Sequence, residues 1–171
     1  MKALKSLEMS LVKATKDLPH LPKGLTTWLV ENAWWLVLIG VVIGVIAVFP
    51  LIGAVMLVGG VSAVYLGLGY GAMYLVSSWV SLAVLVATII IEGIAIQPLQ
   101  VKQKRGWNLL FAASLLGVVG SLVSAFIAGN IFGGIFTAAI TAAISLYVLF
   151  ELRPHYVGAP VKAVSPKPVV K

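Results

Sequence analysis

The sequence contains no cysteine and very little charge. Of its 171 residues, 10% are charged and 61% are hydrophobic, and the mean hydropathy is +1.09. The lack of cysteine excludes disulfides, a thiol nucleophile and cysteine metal sites. In soluble domains about a quarter of the residues are charged, so this composition favours a membrane protein.

Two long runs lack any charged side chain or histidine. The first lies between Glu31 and Glu92, and the second between Arg105 and Glu151. A transmembrane helix needs about 20 apolar residues to cross a hydrocarbon core of about 30 Å. Because the first run begins only after Glu31, we expect no cleaved secretory signal.

The basic residues fall into three groups, at the N-terminus, at residues 102–105 and after residue 152. Lys and Arg concentrate in short cytoplasmic loops, so all three groups are predicted to be cytoplasmic. Two crossings then precede Lys102 and two follow Arg105, whereas three in the first run would place this loop outside. The prediction is an all-α, integral membrane bundle of four transmembrane helices, with spans at Ala33–Val55, Leu75–Ile96, Trp107–Ala128 and Ile131–Phe150.

A Gly-rich apolar stretch at residues 56–74 lies between the first two predicted spans. Three arrangements are open: it lies in the outer interface, extends the flanking helices, or dips back into the membrane as a hairpin. A re-entrant segment would have functional importance, because non-helical backbone at membrane depth must be covered by protein or line a water-filled cavity.

The two ends of the chain differ from the transmembrane domain, which we place at residues 25–153. Residues 1–24 are predicted to form an amphipathic interfacial helix followed by a Pro-Gly linker, because apolar and lysine residues recur at helical spacing. Its basic face fits anionic lipid head groups, and docking on a partner protein is the alternative. Residues 154–171 are predicted to be a disordered, basic, Pro-rich cytoplasmic tail. We expect no nucleic-acid partner.

Small residues mark the predicted contacts between helices, because they let backbones approach closely in lipid. The third and fourth spans should form a tight antiparallel hairpin. The first span carries two glycines, Gly40 and Gly44, that pack within the bundle or drive self-association. The predicted packing residues are Gly40, Gly44, Ala113, Gly117, Ser121, Ala125, Gly134, Ala138 and Ala142.

Glu92 is the one ionisable side chain inside the predicted spans, and Gln97 follows it at the exit of the second span. Carboxylates within a membrane are costly and often mark ion or proton paths. One interpretation is therefore a proton- or cation-handling site at Glu92 and Gln97. The alternative is a structural carboxylate that reaches Arg153, Lys102 or water.

Other motifs give no site. Gly67, Gly69 and Ala72 match a dinucleotide-binding pattern, but that motif needs a soluble strand and helix around it. His20 and His155 have no ligating neighbours at suitable spacing. We predict no catalytic, metal or cofactor-binding residue.

Two segments resemble those of small uncharacterised bacterial four-helix inner-membrane proteins. They read QPLQVKQKRGWNLLF at residues 97–111 and YVLFELRP at residues 147–154. The resemblance implies a multi-pass location in the bacterial plasma membrane and the same four-helix topology. It implies no substrate, cofactor or catalytic residue.

These features favour a non-enzymatic scaffold or accessory subunit of a membrane complex, with a membrane-protein partner or a second copy of itself. The alternative function is a small oligomeric transporter or channel that uses Glu92 and the Gly-rich stretch. We do not expect an enzyme, since the chain lacks paired acids and histidines near the interface.

Overall fold

The computed structural model describes residues 10–11 and 20–157, where all regular structure is helical. Each of the four long helices is long and apolar enough to cross a membrane, so the predicted number of apolar helices is confirmed. The predicted amphipathic helix lies mostly outside the described residues, as does the tail after Val157. The helices are α1 (Lys23–Leu66), α2 (Leu68–Gln100), α3 (Lys104–Ile127) and α4 (Ile131–Val157).

The first two helices are much longer than the predicted spans. α1 has 44 residues, or about 66 Å at 1.5 Å per residue, whereas α3 has 24 residues, or about 36 Å. α1 and α2 continue through the Gly-rich stretch and are separated only at Gly67. This stretch therefore extends both flanking helices, which was one of the three arrangements left open. α4 also continues past Phe150 to Val157, four residues into the segment predicted as tail.

The helices pack in the order of the chain, α1 against α2, α2 against α3, and α3 against α4. Within the described residues, the backbones of α1 and α3 stay apart, as do those of α2 and α4. α1 meets α4 near the start of one and the end of the other, where the Tyr156 hydroxyl donates a hydrogen bond of 3.3 Å to the Val30 carbonyl. The four helices thus form an open row that closes at the charged end.

The densest packing is also at this charged end. Trp107 is 1% exposed, and its indole N–H donates to the Leu149 carbonyl at 2.7 Å. Its ring stacks on Phe111 at 5.3 Å, and the Arg153 guanidinium lies 5.7 Å from the ring centre. Leu11 packs against the same cluster, whose buried members are Val30, Ala33, Ala95, Leu99, Trp107, Phe111, Leu149, Phe150, Leu152 and Tyr156.

Candidate functional site

A row of polar side chains runs along one face of α2. It consists of Tyr74, Ser78, Ser81, Thr88 and Glu92. Successive members are three, four or seven residues apart, a spacing that places side chains on the same side of a helix. We call these five residues the polar row.

The outer half of the polar row borders a cavity between α1 and α2. The cavity has a volume of about 260 Å³ and is open on one side. This volume is below the roughly 300–1,000 Å³ of typical small-molecule sites, so it fits a side chain or a small group better than a large cofactor. Its walls combine hydroxyl groups with aliphatic side chains, namely Leu51, Val55, Tyr74, Ser77, Ser78, Ser81, Leu82 and Leu85.

Three serines at the edge of this cavity join α2 to α3. The Ser77 hydroxyl donates to the Ser124 carbonyl at 2.9 Å, and the Ser124 hydroxyl donates to the Ser77 carbonyl at 3.3 Å. The Ser81 hydroxyl lies 2.7 Å from the Ser124 hydroxyl. The reciprocal bonds of Ser77 and Ser124 set the register of the two helices, because they form only when both helices are aligned.

Thr88 is different from the serines. Its hydroxyl oxygen is buried and has no hydrogen-bond partner among the described residues. A hydroxyl in an apolar helix usually bonds to a carbonyl one turn earlier, and leaving it unsatisfied costs about 1–3 kcal/mol. Thr88 therefore supplies an unused polar group one turn before Glu92.

Glu92 lies two turns beyond Leu85, on the face of α2 that lines the cavity. It is partly buried, and no residue of the described chain gives it a hydrogen bond or an ion pair. Neither Lys102 nor Arg153, the cations named as possible neighbours, pairs with it. Gln97 is exposed and five residues further on, about 140° around the helix, so the structure does not bring Gln97 to Glu92.

The predicted packing glycines have unequal surroundings. A Cβ added at Gly44 would lie 2.9 Å from the Ile89 side chain of α2, and one added at Gly134 would collide with Ala125 of α3. Gly40 and Gly117 have open space where a Cβ would be. Gly44 and Gly134 are thus close-contact positions between helices, whereas Gly40 and Gly117 are not.

The remaining predicted packing residues lie on α3 and α4. Ala113 and Ala138 are buried, and Ala142 is half-buried. The Ser121 hydroxyl donates to carbonyls of its own helix, at Gly117 and Val118, so it does not bridge two helices.

The histidines and acids of the described residues form no cluster that could hold a metal ion. In residues 10–11 and 20–157 no three His, Asp or Glu side chains are grouped to hold a metal ion. His20 Nδ1 lies 3.2 Å from the Glu151 carboxylate, which also accepts the Leu21 backbone N–H at 3.2 Å. This contact joins the segment before α1 to α4 at the charged end.

Sequence reasoning singled out Glu92 but missed the polar row that leads to it. The signal was present, because Ser78, Ser81 and Thr88 precede Glu92 at helical intervals in an otherwise apolar segment. It was easily overlooked, since serine and threonine in apolar helices commonly bond to their own backbone.

Comparison of this chain with models of known families, with curated proteins and with solved structures finds no match.

Proposed function

We propose that this chain is a non-enzymatic accessory or scaffold subunit of a membrane-protein complex. The observation that carries the proposal is the unequal length of its two helical hairpins. The α1–α2 hairpin extends beyond the turn between α3 and α4, and its protruding end is apolar and exposed.

The shorter hairpin matches one membrane thickness. About 30 Å of helix separates Trp107 from Ile127 at 1.5 Å per residue. This equals the hydrocarbon core of a typical bilayer. We therefore place the buried Trp107 near one membrane surface and the α3–α4 turn near the other.

The longer hairpin then extends past the second surface. Ser77 is level with Ser124 near the end of α3, and from Ser77 α2 continues for about 14 Å to Leu68. Close packing makes this end a compact unit, because a Cβ added at Gly71 would lie 2.7 Å from the Ala63 Cα. Val64 and Leu68 at its tip are 80% and 82% exposed.

An apolar, charge-free protrusion of this kind needs a covering surface. Large exposed apolar patches on proteins mark interaction sites. Exposure of the apolar α1–α2 end to water would be unfavourable. A partner protein that reaches the same height supplies such a surface. The proposed accessory or scaffold role follows from this requirement.

Membrane orientation is also part of the proposal. The Lys and Arg residues of the described chain lie at the start of α1, in the α2–α3 turn and the start of α3, and near the end of α4, which is one end of the helix row. By the distribution of basic residues this end is cytoplasmic. The resemblance in residues 97–111 and 147–154 supports the bacterial plasma membrane as the location.

A second candidate function is a small oligomeric transporter or channel, which the polar row on α2 favours. A continuous path needs polar groups on more than one wall, however. Glu92 is the only acidic or basic residue between residues 32 and 101. The subunit role is therefore the stronger proposal.

The test is purification of the tagged chain from its native membranes in mild detergent. We expect a stoichiometric partner with the natural chain, and its loss when Val64 and Leu68 at the tip are both replaced by serine. The matched control replaces Ile131 and Phe132, two exposed apolar residues at the start of α4, with serine.

The control should retain the partner, because it changes the short hairpin and not the protruding one. Recovery of the chain alone, or of a homo-oligomer with a water-filled centre, would contradict the proposal. The second outcome would favour transport.

A further inference from the structure

A groove opens beside the polar row, and its floor is α2. α2 uses one face to pack against α1 and another to pack against α3, while the backbones of α1 and α3 do not approach one another within the described chain. The α1–α4 contact near Val30 and Tyr156 closes the row only at the charged end. Beyond that contact, no helix backbone of the described residues lies close across the face of α2 that carries Ser78 and Glu92.

Glu92 is the chemically unsatisfied group in this groove. No described residue pairs with its carboxylate, and the buried Thr88 hydroxyl one turn away is also without a partner. An isolated carboxylate in an apolar medium is strongly unfavourable, and intramembrane charges therefore pair with other polar groups. The groove thus presents a negatively charged carboxylate one helical turn from a hydroxyl that has no partner among the described residues.

The chemistry of the groove discriminates among possible occupants. A second copy with its groove turned to this one would bring another Glu92, and like charges repel. A metal ion would need further anionic or imidazole ligands, and within residues 20–157 no three His, Asp or Glu side chains are clustered to supply them. A Lys or Arg side chain instead offers the complementary charge, and its apolar stem can lie along Leu85 and the aliphatic walls.

We propose that this groove binds a transmembrane helix of a partner protein that carries a Lys or Arg at the depth of Glu92. The basic group pairs with the Glu92 carboxylate. This inference rests on the proposed role as a subunit of a complex, and it specifies the partner's chemistry.

The test uses designed, leucine-rich transmembrane peptides in phosphatidylcholine vesicles that contain the full chain. One peptide carries a single Lys about 9 Å inside the hydrocarbon edge, which is six residues of helix and matches the distance from Glu92 to Pro98. A second peptide has Leu at that position. Because the chain has no cysteine, Gly24→Cys gives one site for a fluorescent donor in open space.

We expect saturable energy transfer to the Lys peptide at about one peptide per chain, and about tenfold weaker binding of the Leu peptide, which lacks the same contact. Glu92→Leu should weaken binding of the Lys peptide about tenfold, as loss of one intramembrane polar contact of 1–2 kcal/mol would. Glu31→Gln, which removes an exposed carboxylate at the start of α1, is the matched control and should bind normally.

Reversing the charge at residue 92 gives a second test, in which the expected result is a gain of binding to a new peptide and not only a loss of binding. Glu92→Lys should reject the Lys peptide and bind a peptide with Glu at the same position. Unchanged helicity by circular dichroism shows that each variant is folded. Equal energy transfer to the Lys and Leu peptides, or to the natural chain and Glu92→Leu, would overturn the inference.

The two proposals fail separately. If a native partner co-purifies but the Lys peptide does not bind, the inference about the groove is wrong and the subunit role stands. If the Lys peptide binds but no native partner exists, the groove has the stated chemistry and the proposed function is wrong.

Discussion

At the scale of single residues, surroundings decide what a small side chain does. Gly117 and Gly134 both belong to the predicted packing residues of the α3–α4 hairpin. Ala125 occupies the space in which a Gly134 Cβ would lie, whereas a Gly117 Cβ would meet nothing within 4 Å. Only Gly134 allows the close approach of two backbones that small residues provide in membrane helices.

Gly134→Ala should therefore destabilise the protein, and Gly117→Ala should not. An added methyl group that overpacks a close contact costs typically 1–3 kcal/mol. In open space within a helix, Ala is favoured over Gly by roughly 0.5–1 kcal/mol. Thermal unfolding in detergent, followed by circular dichroism, should show a lower Tm for Gly134→Ala only. Equal Tm shifts for the two variants would mean that the contact with Ala125 does not contribute to stability.

The same scale explains why Glu92 was found from the sequence and its neighbours were not. A single carboxylate in a charge-free run is conspicuous at any helix orientation. Ser77 and Ser124 are 47 residues apart in sequence, and their reciprocal hydrogen bonds depend on how α2 is placed against α3. The sequence does not distinguish serines that bond to another helix from serines that bond to their own helix, such as Ser121.

At the scale of elements, one glycine separates the two longest helices. Gly67 has φ 94° and ψ 156°, a conformation that L-residues with a side chain essentially never adopt. Gly69, two residues later, is inside α2 with no positive φ and with open space at its Cβ position. The turn of the α1–α2 hairpin therefore depends on Gly67 and not on the general glycine content of the stretch.

Gly67→Ala should strain this turn, because the side chain makes the observed φ and ψ unfavourable by about 1–3 kcal/mol. Gly69→Ala is the control, and it should be neutral or slightly stabilising. Limited proteolysis of the reconstituted protein from the side of the turn should cleave Gly67→Ala faster than the natural chain. If both variants resist proteolysis equally, the chain turns in another way.

At the scale of the whole molecule, one end is ordered by charge and aromatic packing and the other by apolar helices alone. Trp107, Phe111 and Phe150 pack together at the charged end, where Glu151 also holds the segment before α1. Towards the opposite end the helix row opens, and the α1–α2 hairpin stands beyond the α3–α4 turn. The molecule thus divides into a closed charged end and an open apolar end.

This arrangement predicts the accessibility of introduced cysteines in intact cells or sealed vesicles. Gly24→Cys and Gln103→Cys should react with a membrane-impermeant thiol reagent from the same side if, as we propose, α1 and α2 each cross the membrane once. Phe132→Cys, in the α3–α4 turn region, should react from the opposite side. Labelling of residues 24 and 103 from opposite sides would require an odd number of crossings between them, and the four-span topology would be wrong.

The sequence by itself determined the apolar character of the helices through its charge-free runs, and their number through the placement of the basic residues on one side of the membrane. It also located Glu92, since a lone carboxylate needs no structure to be seen. It left open the form of residues 56–74, because an apolar Gly-rich segment is compatible with turn, helix or interface. Tertiary structure decided that both helices continue to Gly67, and that α1 meets α4 only near the charged end. Those outcomes depend on packing between residues distant in sequence, such as Ala63 with Gly71 and Val30 with Tyr156. They leave the protruding hairpin and the Glu92 groove as the two surfaces through which we propose that the protein acts.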